Sequence, residues 1–147
     1  SKGSDVLGFK KKNKKPTNKD ELMIYEVKAR LSENNVRNTL QTAIDDSSKD
    51  EIRLAESLNG AKQRLYDQRD FTGMDIVSRF QQNVDHPYKT KFGAAAVLTD
   101  SSCCVETLAE ASTQKHSFRT KLEMIVIKGP VLMSLVHSLY ERAANEA

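Results

Sequence analysis

The chain has 147 residues, which is enough for one domain with a substantial core and too few for two ordinary ones. Its hydrophobic fraction of 38% and charged fraction of 29% are ordinary globular values, while 6% aromatic residues and no Trp argue against a large aromatic-lined cleft. The two cysteines, Cys103 and Cys104, are adjacent, which excludes a fold held together by disulfides.

A net charge of +3 hides a strong asymmetry along the chain. Residues 1–19 contain seven lysines and one aspartate, so the rest of the chain is net acidic. This segment also contains Gly3, Gly8 and Pro16 and few side chains that can be buried, so burial cannot offset the entropy of ordering it. We predict a flexible basic tail over residues 1–19 and one folded domain over residues 20–147.

Residues 20–46 carry apolar side chains at helical spacing. One continuous stripe at 100° per residue contains Leu22, Tyr25, Ala29, Val36, Leu40, Ala43 and Ile44. A second stripe of Ile24, Val27 and Leu31 lies on the opposite side of the first half. We predict one long helix whose first half is covered on two sides, either because it is central in a bundle or because Ile24, Val27 and Leu31 bind a partner.

Three further helices are predicted from apolar periodicity, over residues 49–68, 74–84 and 131–144. Ser48 and Glu51 have the spacing of a capping box, which favours a tight turn between the first helix and the second.

Residues 88–114 are predicted to be helical with a break near residue 100. Residues 118–128 are ambiguous, because the run from Ile125 to Ile127 suits a strand. A lone strand would have no partner, so we interpret this stretch as a buried helix. The resulting fold class is all-α, an antiparallel bundle of about five to six helices with a disordered basic N-terminal tail.

The most apolar stretch, residues 122–140, is about as long as a membrane span. It contains Glu123, Lys128 and Pro130, and the two charges would be heavily penalised in the hydrocarbon core. No transmembrane segment is predicted.

The most distinctive functional feature is the lysine cluster of the tail. It consists of Lys10, Lys11, Lys12, Lys14 and Lys15. Clustered ammonium groups bind phosphates, anionic lipid headgroups or acidic protein surfaces. The absence of interleaved aromatic side chains and of Arg favours an acidic protein surface over nucleic acid.

The sequence indicates no catalytic, cofactor-binding or metal-binding residue. Cys103 and Cys104 have no activating Lys or His beside them. The three histidines, His86, His116 and His137, have no partner at the spacing typical of zinc ligands.

Other charged groups have ordinary structural interpretations. The acidic pairs Asp45–Asp46 and Asp50–Glu51 lie at predicted helix ends, where carboxylates are typically exposed caps. Arg64, Arg69 and Arg79 alternate with acidic residues, as on a solvated helix face.

We therefore expect a non-enzymatic helical accessory or scaffold subunit of a larger protein assembly, anchored on an acidic surface partly through its lysine-rich arm. The alternative is a small nucleic-acid-associated protein that binds phosphates through the same lysines. Contact with a membrane surface stays open, and the sequence does not indicate a compartment.

Overall fold

A computed structural model describes residues 3–32 and 37–146 and shows a mixed α/β fold. The strands are β1 (Val6–Lys10), β2 (Glu21–Arg30), β3 (Lys89–Thr99) and β4 (Glu123–Gly129). The helices are α1 (Thr39–Ser47), α2 (Asp50–Asp67), α3 (Phe71–Phe80), α4 (Val105–Ala109) and α5 (Leu132–Glu146), with a 3₁₀ turn at Asp100–Ser102. The predicted all-α bundle with a disordered tail is therefore wrong.

The four strands form one sheet in the order β1-β2-β3-β4. β1 runs antiparallel to β2, with Leu7 opposite Ile24 and Phe9 opposite Leu22. β2, β3 and β4 run parallel to one another. Since β1 lies within residues 1–19, the segment predicted to be a flexible tail contributes a strand to the sheet.

The first half of the predicted long helix is strand β2. Leu22 and Ile24 are fully buried on one face, whereas Met23, Tyr25 and Val27 are partly buried on the other. Because β2 carries apolar residues on both faces, its sequence fits the spacing of a helical stripe as well as that of a strand. The second half of that prediction contains α1, and Val36 of the stripe lies outside the described residues.

Helices α1, α2 and α3 cover one face of the sheet. A cluster formed by β2, β3, α2 and α3 contains Leu22, Ile24, Leu58, Val77, Phe80 and Phe92. A second cluster, between β3 and α1, contains Leu40, Ala43, Ile44, Ala94, Ala96 and Leu98. The even-numbered side chains of β2 and β3 thus face this helical layer.

The helices predicted over residues 49–68 and 131–144 are confirmed as α2 and α5, and α3 begins earlier than the predicted 74–84. The predicted helix over residues 88–114 is wrong, because it contains β3. Residues 118–128 contain most of β4, which pairs with β3, so the helical interpretation is wrong there too and the strand alternative is right. No helix in the described parts of the chain is long and apolar enough to cross a membrane.

Candidate functional site

Two charged residues continue the buried apolar row of β2. Successive side chains of a strand alternate between faces, so Glu26 and Lys28 follow Leu22 and Ile24 on the side of the helices. Glu26 is only 4% exposed. A carboxylate in that position is costly unless something compensates its charge, which marks this end of the row as a candidate site.

Asp5 lies beside Glu26 on the neighbouring strand. It directly precedes Val6, which is paired with Tyr25. Its Oδ2 atom accepts a hydrogen bond of 2.9 Å from the backbone N–H of Val27. The carboxylate of Asp5 is exposed, so solvent reaches the site from this side.

Lys28 is held at the site by two carboxylates. Its Nζ lies 2.6 Å from Oε1 of Glu26 and 2.9 Å from Oδ2 of Asp46, at the end of α1. Hydrogen bonds to Glu26 and Asp46 raise the pKa of Lys28 above its ordinary value. Lys28 is therefore a permanent cation at neutral pH.

Asp50 is the fourth carboxylate of the cluster, after Asp5, Glu26 and Asp46, and it is the first residue of α2. It is fully buried, and its Oδ1 accepts a hydrogen bond of 3.0 Å from the hydroxyl of Ser4. Burial raises the pKa of Asp50 to about 6, and the negative charges of Glu26 and Asp5 act in the same direction. The sequence interpretation of Asp50 as an exposed cap is wrong, because the chain before β1 lies over the start of α2.

Oε2 of Glu26 and Oδ2 of Asp50 are buried, and neither has a hydrogen-bond partner among the described residues. Unpaired buried carboxylate oxygens are unusual and call for a proton or a cation. Among residues 3–32 and 37–146, no three His, Cys, Asp or Glu side chains are grouped closely enough to hold a metal ion. Mg²⁺ needs no such cage, since it typically binds one or two carboxylates and keeps waters or substrate phosphates as its other ligands. Asp5 and Glu26 fit that requirement.

The lysine cluster lies on the β1–β2 hairpin. Lys10 ends β1, while the others are exposed in the following loop. This loop is tied down by Asp20, whose carboxylate accepts hydrogen bonds from the backbone N–H groups of Lys12 at 2.9 Å and Thr17 at 3.2 Å. The cluster is thus presented by an organised loop.

A buried ion pair supports the same loop. Arg79 Nε lies 2.9 Å from Oδ2 of Asp20, and both side chains are almost completely buried. The guanidinium also donates to the carbonyl oxygens of Thr17 and His86. Arg79 is therefore a buried clamp, and the expectation that it lies on a solvated helix face is wrong.

The residues predicted from the sequence to bind a partner differ in their burial. Ile24 lies in the core at 0% exposure, whereas Val27 and Leu31 are partly buried. The structure does not bring the lysine cluster together with these residues in one patch. Partner binding by Ile24, Val27, Leu31 and the lysines stays a prediction.

The surroundings of the cysteines and of His116 indicate a structural role for these side chains. Cys103 and Cys104 are free and partly buried. His116 is 4% exposed, with its Nε2 atom 3.3 Å from Oγ of Ser47, and burial lowers its pKa.

Sequence reasoning missed Asp5, Glu26 and Lys28. A helix turns 200° between residues i and i+2 and would separate Glu26 from Lys28, whereas a strand places them on one face. The available signal was the even-numbered row Leu22, Ile24, Glu26, Lys28, in which two charges replace the expected apolar residues.

The fold and site define a mixed α/β protein with a carboxylate–lysine cluster beside the layer of helices. The model of the HamA family matches residues 1–143, and the chain belongs to the HamA family. No curated protein and no solved structure matches the chain.

Proposed function

We propose that the chain catalyses Mg²⁺-dependent hydrolysis of phosphodiester bonds in a nucleic acid. The observation that carries this proposal is the convergence of Asp5, Glu26 and Lys28 on the helix-facing side of the β1–β2 hairpin. Ligands of open α/β sheets bind outside the carboxyl ends of parallel strands, and Glu26 and Lys28 lie in the carboxyl-terminal half of β2.

Each group has a chemical role in this proposal. Asp5 and Glu26 would hold the cation, and Oε2 of Glu26 has no hydrogen-bond partner among the described residues. When bound there, a divalent cation would supply Lewis acidity towards the phosphoryl group and would favour deprotonation of the attacking water. Lys28 stabilises the negative charge that develops on the phosphoryl oxygens. Water forms the new bond to phosphorus, the bond to the leaving sugar oxygen breaks, and that oxygen takes up a proton.

The lysine cluster supports a polyanionic substrate. Lys10 is five residues along β1 from Asp5, which is about 17 Å at the rise of an antiparallel strand. Phosphates recur about every 3.4 Å along one strand of a nucleic acid. A bound strand that reaches both places therefore extends over several nucleotides.

This proposal differs from the non-enzymatic role expected from the sequence. That expectation depended on the apparent absence of grouped catalytic side chains, and the grouping of Asp5, Glu26 and Lys28 requires a strand where a helix was predicted.

Incubation of the chain with labelled DNA and RNA, single-stranded and duplex, in Mg²⁺ or EDTA tests the proposal. We expect cleavage that needs Mg²⁺ and falls by roughly 10²-fold or more in Glu26→Gln and Lys28→Met, the order seen when one group that stabilises a transition state is removed. Glu21→Gln is the matched control, because Glu21 begins the same strand and pairs with Lys91 away from the site. Absence of Mg²⁺-dependent cleavage of every substrate, or equal activity in a folded Glu26→Gln variant, would refute it.

We also infer a docking role, which keeps the accessory-subunit hypothesis as a second candidate function. One end of the molecule exposes large apolar side chains of β4 and α5: Met124, Val126, Ile127, Met133, Leu135, Leu139 and Tyr140. Large exposed apolar patches are typical of protein interfaces.

Nuclease-treated pull-downs from source cells test the docking role. We expect a defined set of proteins to be recovered with the intact chain and lost with Leu135→Asp/Leu139→Asp. The exposed substitution Ser138→Asp on the same helix is the control. Equal recovery with all three chains would exclude α5 as the docking surface.

A further inference from the structure

A groove runs beside Asp5, between the chain that precedes β1 and helix α2. Its volume is about 450 Å³, and its lining includes Ser4, Asp5, Ser57, Gly60 and Arg64. A second groove of about 270 Å³ shares Ser4, Asp5 and Arg64 with the first and continues along the side of β1. The two therefore form one cleft that passes the exposed carboxylate of Asp5, and we name it the Arg64 cleft.

Helix geometry explains why α2 forms a wall of this cleft. Ser57, Gly60 and Arg64 are three and four residues apart and so lie on one face of the helix. Gly60 costs about 1 kcal/mol relative to Ala in a helix interior. A Cβ atom at Gly60 would lie 3.5 Å from Nη1 of Arg64, an ordinary contact, so Ala fits while a longer side chain would extend towards the guanidinium.

The wall opposite Arg64 is held in place by hydrogen bonds. The backbone N–H of Ser4 donates to Oγ of Ser57 at 3.0 Å, and the hydroxyl of Ser4 donates to the buried Asp50. These contacts fix the backbone next to Asp5 against α2. One wall of the cleft is therefore helix α2, and the other is the segment before β1, which these hydrogen bonds hold against α2.

The net charge of the cleft favours binding of an anion only when a cation is also bound. Arg64 is exposed and makes no ion pair with any described carboxylate. Asp5 and Glu56 are the acidic residues of the lining, so the cleft without a cation is net negative. A divalent cation on Asp5 reverses that balance, and a guanidinium then offers two parallel N–H donors to a phosphate.

We propose that the Arg64 cleft binds a phosphate group of the nucleic acid strand beside the cleavage site, with Arg64 as the substrate-positioning residue. This proposal rests on the proposed function, from which it takes the cation at Asp5. The side chain assigned to the phosphate, Arg64, is a separate one. It requires that phosphate binding at Arg64 depends on the cation, whereas cation binding to the protein without nucleic acid does not depend on Arg64.

Fluorescence anisotropy with labelled single-stranded DNA and RNA in Ca²⁺, in EDTA and at matched ionic strength measures binding without relying on cleavage. We expect Ca²⁺ to strengthen binding, and Arg64→Ala to weaken it by about tenfold or more in Ca²⁺, as for loss of a charge-assisted bidentate contact. Arg64→Lys should recover only part of this loss, since an ammonium lacks the planar fork. The matched control is Lys62→Ala, which removes one positive charge from the same helix but lines a different groove.

Two further measurements separate positioning from a general effect on folding. Gly60→Leu should weaken binding as Arg64→Ala does, while Gly60→Ala should not. The affinity of the substrate-free protein for Mg²⁺, measured by isothermal titration calorimetry, should be unchanged in Arg64→Ala, with the loss appearing in KM. Equal binding by Arg64→Ala and Lys62→Ala, or no Ca²⁺-dependent binding by the wild-type chain, would overturn the inference. Binding that depends on Ca²⁺ and Arg64 without any cleavage would instead refute the proposed function alone.

Discussion

Asp50 combines complete burial with two neighbouring negative charges. Its pKa rises from 3.8 to about 6 in the folded protein, with burial as the main cause. Between these two pH values the folded protein holds a proton that the unfolded chain has released. The contribution of Asp50 to stability therefore falls as pH rises through this window.

We expect Asp50→Asn to increase the free energy of unfolding at pH 7.5 by up to about 3 kcal/mol, the equivalent of the pKa change. The amide oxygen can still accept the hydrogen bond from Ser4, and the repulsion from Glu26 and Asp5 is removed. At pH 4 the gain should nearly vanish, because the wild-type carboxyl is then protonated in the folded state. Urea unfolding at both pH values measures the difference, and equal effects at both would show that the charge of Asp50 is not destabilising.

At the scale of elements, the β1–β2 loop depends on a helix far along the chain. Burial alone would raise the pKa of Asp20, but hydrogen bonds from Lys12 and Thr17 and the Arg79 guanidinium outweigh it, so the pKa is lowered. The stabilising contribution is present above the ordinary carboxyl pKa and is lost as pH falls below it.

We expect Arg79→Met to lower the free energy of unfolding by about 3–5 kcal/mol, because it leaves Asp20 as an unpaired buried charge. Lys91→Met breaks the surface pair with Glu21 and should have a much smaller effect, because solvent screens such pairs. Chemical denaturation of the two variants provides the comparison. An Arg79→Met effect as small as that of Lys91→Met would indicate that water reaches Asp20.

The organised loop also leads to a prediction about how nucleic-acid binding depends on salt concentration. If the lysine cluster contacts phosphates, replacing Lys11, Lys12, Lys14 and Lys15 with Gln should reduce the slope of log K against log salt for single-stranded DNA by up to about 3, at roughly 0.7 per phosphate contact. Replacing the exposed Lys115 and Lys121 should leave the slope nearly unchanged. Anisotropy titrations at several salt concentrations measure it, and an unchanged slope in the loop variant would assign the lysines to another partner.

Comparison of the predicted and observed helices and strands shows which of them local sequence patterns determine. The apolar faces of α2 and α5 are one-sided, and both helices were predicted to within about two residues. β2 and β3 are covered on both faces, so their apolar residues have no unique period. Ala94–Ala96 have high helix propensity, yet pairing with β2 and β4 on both sides outweighs it. Strand pairing between distant segments is a tertiary effect that local patterns do not encode.

The site was hidden for the same reason. Asp5 and Glu26 become neighbours only through the pairing of β1 with β2, and Lys28 joins Glu26 only on an extended backbone. The lysine cluster was visible because it is contiguous in sequence. Its organisation was not, because that requires Arg79 from α3.

At the scale of the whole molecule, the sheet joins strands of very different separation along the chain. β1 and β2 are consecutive, whereas β3 joins β2 only after three helices have been inserted between them. Closing such a long connection costs more chain entropy than closing a hairpin, and this cost precedes the contacts that offset it.

The hairpin that carries Asp5 and Glu26 should therefore assemble early in refolding, and the parallel half of the sheet later. The Val27 amide reports on hairpin closure directly, because its hydrogen bond goes to Asp5. In pulse-labelling hydrogen exchange we expect Val27 to be protected before the amides of β3, and simultaneous protection would contradict this order. A nascent chain would then bring the carboxylates of Asp5 and Glu26, the proposed cation ligands, together before the core that buries Glu26 exists.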